Sequence, residues 1–175
     1  MAEIKKEVWL KMGLKVLDKG GLNELKVSNL CNELSVTKGS FYHWFKSKSD
    51  FDMALLAYWR ELFTENFIQS AEVGTNSNDK LSRLVNNCIE GLQSGSRLEL
   101  EINIWAHKDL LVKNFVNEVY INRFNYLVKL LEDIHSNKNE AKRHALTLYS
   151  LTIGADLFYK KLTRKELEMI FQNYL

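Results

Sequence analysis

Apolar residues recur along most of the chain at spacings of three and four, the period of an amphipathic helix. Start and stop signals bracket nine helical segments. The first spans about 3–19 and is stopped by Gly20-Gly21. The second covers 27–34 and the third 38–44. Thr37 stands at the N-cap of the third, with Val36 and Phe41 at the staple positions on either side. A variant capping box, Ser47-x-x-Asp50, opens the fourth, which runs to about 70. After a polar loop over 74–78, the fifth covers 79–93. The sixth is short and follows Ser96-x-x-Glu99, which has capping-box spacing. Within it, Leu98, Leu100, Ile102 and Ile104 alternate as in a strand, while Leu98, Ile102 and Trp105 also share a helical face. No second strand is present to pair with, so helix is the expectation. Asp109 caps the seventh, to about 135. Asn137-x-x-Glu140 opens the eighth, to about 161. Thr163-x-x-Glu166, with Leu162 and Leu167 as a staple, opens the last. The 175 residues contain no proline, which suits an all-α chain.

Residues 22–51 carry the functional pattern. The second segment, a tight turn at Leu34-Ser35-Val36-Thr37 and the short third segment make a helix-turn-helix. Leu25, Val27, Leu30, Cys31, Leu34, Val36, Phe41 and Phe45 supply its apolar side, expected to pack on the first helix through Val8, Met12, Val16 and Leu17. This leaves Thr37, Lys38, Ser40, Tyr42, His43 and Trp44 on the free face of the third helix, with small Gly39 among them. A recognition helix needs such a face: its N-terminal residues reach base edges, and its amide end favours phosphate. Lys46 and Lys48 flank the start of the fourth helix, where they could grip a phosphate. The same aromatic face could instead meet a protein partner, and any one lysine could be a plain solvated charge.

Charge sharpens the picture slightly. Residues 1–50 hold nine Lys against six acidic residues, whereas the remaining 125 hold fifteen basic and sixteen acidic residues. Positive charge therefore gathers at the N-terminal end, as a phosphate-facing module requires. No apolar run is long enough to span a membrane and no signal-peptide core is seen, so a cytoplasmic location is expected. Cys31 and Cys88 sit in apolar-periodic segments and read as small hydrophobes in a reducing compartment. The four histidines, His43, His107, His135 and His144, show no metal-ligand spacing. No catalytic motif or phosphate-binding glycine loop is present. No enzymatic activity, cofactor or metal site is expected.

The run Val36-Thr37-Lys38-Gly39-Ser40-Phe41-Tyr42-His43-Trp44-Phe45-Lys46-Ser47-Lys48-Ser49-Asp50-Phe51, preceded by Gly21-Leu22 and Val27-x-x-Leu30-Cys31, resembles the DNA-binding domain of the tetracycline-repressor (TetR) family. The match covers about a third of the chain. It implies a nine-helix, two-domain protein: a DNA-binding domain over 1–47 and a ligand-sensing and dimerisation domain over 48–175. It places Thr37, Lys38, Gly39, Ser40, Tyr42 and His43 in the operator-contacting region, and Lys48 at a phosphate-contacting position. It also implies a homodimer that binds double-stranded operator DNA and is released by a small-molecule effector, most often as a repressor. The chain departs from the family pattern at Lys26, where a Thr or Ser cap is usual, at Ser28, where a basic residue is frequent, and at Ser35, where Gly is usual. If Ser35 is left-handed, the conformation costs roughly 1–2 kcal/mol.

In the body, Phe63, Phe67, Trp105, Phe124 and Tyr149 are candidates to line an effector pocket, although for any single one plain core packing is the favoured reading. Asn103, His107 and Asp156 could orient a ligand or simply be satisfied polar groups. Gly154, with Ala145 and Ala155, could allow close helix approach between subunits. The stripe Leu167, Ile170, Phe171 and Tyr174 needs a partner surface, and the family resemblance favours a second subunit. A helical ligand-binding or adaptor protein without DNA affinity is the main rival reading.

Overall fold

The structure is a computed structural model that describes residues 5–158 and 160–174, apart from the side chain of residue 173. Among the described residues the helices are α1 (Lys6–Gly20), α2 (Val27–Leu34), α3 (Lys38–Trp44), α4 (Lys48–Arg60), α5 (Asn66–Glu72), α6 (Ser77–Ser94), α7 (Leu98–Ala106), α8 (Leu110–Ile134), α9 (Lys138–Asp156) and α10 (Arg164–Phe171). A π-helical turn, Glu61–Glu65, joins α4 to α5 without a break, so the described residues form nine α-helical runs, a separate 3-10 turn at Leu22–Glu24 and no strand. The expected start of the first helix at residue 3 lies outside the described residues.

Most of the expected caps form. Gly21 ends α1 at φ 71°, its N–H donating to the Leu17 carbonyl at 2.9 Å. Asp109 Oδ1 accepts the Leu111 and Val112 amides, and Asn137 Oδ1 accepts those of Asn139 and Glu140. Thr163 and Glu166 close a full capping box. Lys160 and the Thr163 amide hold the Glu166 carboxyl down at about 2. Two caps differ. Thr37 occupies the N-cap of α3 but makes no side-chain cap bond. The Ser96-x-x-Glu99 spacing does not start its helix; the N-cap is Arg97, whose amide donates to Asp18 Oδ1 at 2.6 Å.

Two compact units divide the chain. The first comprises residues 1–62 and 97–117. Here α1 packs against α2, α4 and α7. Its buried face is Trp9, Leu10, Gly13, Leu14 and Leu17, not the expected Val8, Met12 and Val16; Val8 is exposed. Almost every α1 position from 8 to 17 that is not Lys is apolar or Gly, so periodicity alone left two faces open. Gly13 decides between them: a Cβ there would lie 2.7 Å from Phe51 Cζ and 2.9 Å from Leu55 Cδ1. Only the glycine side lets α4 approach this closely. Trp9, Phe41, Phe45 and Phe51 interlock at ring-centroid distances of 5.0–5.4 Å, and all four are fully buried. Each such ring contributes about 1.5–3 kcal/mol by burial. In the same unit Glu101 is buried with its carboxylate against Gly21, where a Cβ would come within 2.8 Å of Oε2, and it pairs with Arg97 at 2.9 Å.

The second unit comprises residues 63–96 and 118–175. Its core holds Leu81, Val85 and Ile89 of α6, Leu127, Leu130 and Leu131 of α8, Ala141, Ala145 and Leu148 of α9, and Leu167 and Phe171 of α10. The stripe on α10 therefore finds its partner inside its own protomer: Leu167 and Phe171 are fully buried there, and Ile170 and Tyr174 pack on the same cluster. This corrects the expectation of a second subunit for that stripe. Ala145 is likewise spent on the protomer's own core, whereas Gly154 is exposed and a Cβ there would meet nothing within 4 Å.

Candidate nucleic-acid interface

The turn between α2 and α3 is built on Ser35 at φ 54°, ψ 45°, the left-handed conformation that carries a cost for serine at this position. Among the described residues it is the one non-glycine with positive φ. The Ser35 and Val36 amides return to the carbonyls of Asn32 and Cys31, closing the end of α2.

Phe41 and Phe45 fix the rotation of α3. Both point into the aromatic cluster, so the opposite face is presented outward. On it, Thr37, Lys38, Gly39, Tyr42 and His43 are exposed, and Ser40 and Trp44 are half-buried. Tyr42 leans edge-on against Phe41 at 5.2 Å, which steadies a ring that is 54% exposed. A Cβ on Gly39 would touch only Thr37 Oγ1, at 3.6 Å. The protomer's own packing therefore does not require glycine at this position.

Lys48 is placed differently from its exposed neighbours. It is half-buried, its ammonium paired with Asp52 and lying 5.5 Å and 5.9 Å from the Phe51 and Trp105 ring centroids. Burial pushes the Asp52 carboxyl up, and Lys48 pulls it down. At the start of α4, Ser47 Oγ accepts the Asp50 amide and the Asp50 carboxylate accepts the Lys46 amide. A phosphate here would have to displace both an ion pair and a capping carboxylate.

The aromatic candidates in the body fall into three places. Phe63 and Phe67 face each other at 6.3 Å, and Phe124 meets Tyr149 edge-on at 5.8 Å, both pairs in the second unit. Trp105 belongs to the first unit and is buried beneath the Lys48 ammonium. Sequence reasoning missed the polar group beside Phe63. Thr64, buried in the π-helical turn, accepts from Arg123 Nε at 2.7 Å, and a second Arg123 nitrogen donates to the Phe63 carbonyl at 3.3 Å. A π-helical turn interrupts the regular ladder and so exposes a carbonyl to such a partner. Also missed were His135, Glu140 and His144, whose ligand-capable atoms lie within 4.8 Å of one another.

A helix-turn-helix whose third helix presents a polar face, joined in one chain to a helical body, is the architecture of TetR-family transcriptional regulators, and solved structures of that kind match nearly the whole chain. A TetR transcriptional regulator from Legionella pneumophila covers 100% of both chains at TM-score 0.78 and 14% identity. Reduced NemR from Escherichia coli matches at TM-score 0.79 and 21% identity, over 95% of this chain and 94% of that one. A transcriptional regulator from Saccharomonospora viridis, in complex with choline, matches at TM-score 0.77 and 12% identity, over 96% and 93%. Among curated proteins, the transcriptional regulator AcuR of Cereibacter sphaeroides is 32% identical over 66 residues, which is 35% of this chain and 30% of that protein. No family model matches the chain. The fold is that of the TetR-family regulators.

Proposed function

We propose that the chain is a TetR-like transcriptional regulator that binds operator DNA as a homodimer and acts as a repressor released by a small molecule. The reading takes residues 1–47 as the DNA-reading domain and 48–175 as the ligand-sensing and dimerisation domain. The observation that carries it is the exposed face of α3: Thr37, Lys38, Tyr42 and His43 stand outward, and Gly39 leaves room that the fold itself does not use. With α3 in the major groove, Thr37, Lys38 and Ser40 near its N-terminus meet base edges, and Tyr42 and His43 meet the backbone flank. Lys48 contributes a phosphate contact once it exchanges Asp52 for DNA.

Dimerisation places two such helices about 34–36 Å apart, or a multiple of that, as successive major grooves demand. Support comes from apolar side chains left in solvent: Leu146, Ile153 and Leu157 on or next to α9, with the exposed Gly154 beside that stripe, and Met169 on α10. The effector region is assigned to the second unit, around the Phe63–Phe67 and Phe124–Tyr149 pairs. An effector lowers operator affinity by the ratio of its affinities for the two dimer conformations. Such a regulator needs no catalytic group and works in the cytoplasm.

The test is DNA binding against salt. Duplexes selected in vitro with the whole chain should bind with a log–log salt slope reflecting several displaced counterions, and Lys48→Ala should reduce that slope by about two, one phosphate contact per subunit. Binding that is absent or insensitive to salt would reject the reading in favour of an adaptor without DNA affinity.

A further inference from the structure

The cluster at the junction of α8 and α9 has a different chemistry from the DNA-reading face. His135 follows the last residue of α8, and Glu140 and His144 lie four apart on one face of α9. The link between them is short, and its geometry is fixed by Asn137, whose Oδ1 accepts the Asn139 amide at 2.9 Å and the Glu140 amide at 3.4 Å. The two imidazoles stack almost parallel, 4.5 Å between centroids and 9° between planes.

We propose that His135, Glu140 and His144 form a binding site for one divalent transition-metal ion, with Zn²⁺ the best match. Two imidazole nitrogens and a carboxylate are a donor set that borderline ions prefer, whereas Mg²⁺ and Ca²⁺ favour oxygen alone. The three donor atoms lie within 4.8 Å of one another. Bonds of about 2.0–2.2 Å in a tetrahedron need donors about 3.3–3.6 Å apart. The histidine lone pairs lie in their ring planes, so binding one ion requires the parallel His135–His144 stack to open by side-chain rotation; Glu140 is exposed and both histidines are only half-buried, which leaves room for that movement. Three protein ligands leave a fourth position for water or another ligand.

A further contact supports the assignment. The Tyr174 hydroxyl lies 3.3 Å from His144 Nδ1. In the tautomer that carries the proton on Nδ1, the hydroxyl accepts it and Nε2 is left as the metal-binding nitrogen, the arrangement outer partners of metal-bound histidines impose. Glu140 also meets Arg143, at 3.4 Å. Exposed pairs of this kind contribute little, so the carboxylate can leave Arg143 for a cation at small cost.

The site rests on the second unit alone and does not depend on the DNA-binding reading. The test is calorimetric titration of the metal-stripped, full-length chain with ZnCl₂. One ion per chain is expected, with affinity falling by at least about tenfold in His135→Ala, in His144→Ala and in Glu140→Gln, and unchanged in His107→Ala. Co²⁺ in place of Zn²⁺ should give a ligand-field absorption that the same three substitutions abolish or shift. Tyr174→Phe should weaken binding severalfold while leaving the stoichiometry at one. Glu140→Gln changes an exposed side chain, so it decides the matter even if a histidine variant fails to fold. Absence of Zn²⁺ binding, or an affinity that Glu140→Gln and the histidine variants leave unchanged, would overturn the proposal.

Discussion

Gly39→Ala should raise the stability of this protein and lower its affinity for DNA. Gly39 is the second residue of α3 and is exposed. Replacing glycine by alanine inside a helix gains up to about 1 kcal/mol, and near the first turn roughly half of that is expected. Nothing opposes the gain, because the new methyl would lie 3.6 Å from Thr37 Oγ1, an ordinary contact. At about 2–4 °C per kcal/mol for a chain of this size, the melting temperature should rise by about 1–2 °C. On the DNA side the methyl enters the surface that must approach base edges. A displaced contact costs roughly 1–3 kcal/mol per half-site, and a dimer carries the substitution twice. The low end, about 2 kcal/mol in total, is roughly a thirtyfold loss of affinity. Fluorescence anisotropy on a selected duplex and a thermal melt of the same sample measure the two effects. A higher melting temperature with unchanged DNA affinity would refute the assignment of this face. A lower melting temperature would refute the packing argument.

Ser35→Gly relieves a left-handed serine and should add about 0.5–1 kcal/mol in denaturant unfolding, after allowing for the extra freedom of glycine in the unfolded chain; Ser35→Val should lose more than Ser35→Gly gains. Gly154→Leu should leave the protomer folded, since its face is open, but raise the dimer dissociation constant at least about tenfold by sedimentation analysis. An unchanged constant would move the subunit interface elsewhere. The Glu166 carboxyl is held at about 2 in the folded chain, against an ordinary value of 4.5. Its contribution is therefore complete above about pH 4.5 and is lost as the pH falls toward 2. Glu166→Gln should destabilise the chain at pH 7 and lose that effect progressively on acidification, as followed by urea midpoints.

The elements were legible because their ends carry strong local chemistry. Asp109, Asn137 and the Thr163–Glu166 box each bond the backbone amides their spacing implies. The exposed face of α3 was legible for a related reason: Phe41 and Phe45 four apart leave little choice of rotation for so short a helix. The buried side of α1 was not legible, because the constraint sits on another helix, in the approach of Phe51 and Leu55 to Gly13. The role of the α10 stripe was likewise decided by α6, α8 and α9, which surround Leu167 and Phe171. Arg123 and Thr64 are 59 residues apart and meet only through the fold. The histidine cluster lies within ten residues, but its members straddle a helix boundary, so no single helical period displays them.

The way the chain threads the first unit has a consequence for anyone wishing to transplant its helix-turn-helix. Phe51, Leu55, Leu56 and Trp59 lie beyond residue 47 and are buried, Phe51 and Leu55 against Gly13 of α1, and Glu101 is seated against Gly21 from still further along. A fragment severed after residue 47 would carry an open wound of apolar surface and should aggregate. Chimeras that exchange this motif between relatives should therefore carry residues 1–62 together with 97–117, two separate stretches of sequence that form one compact unit.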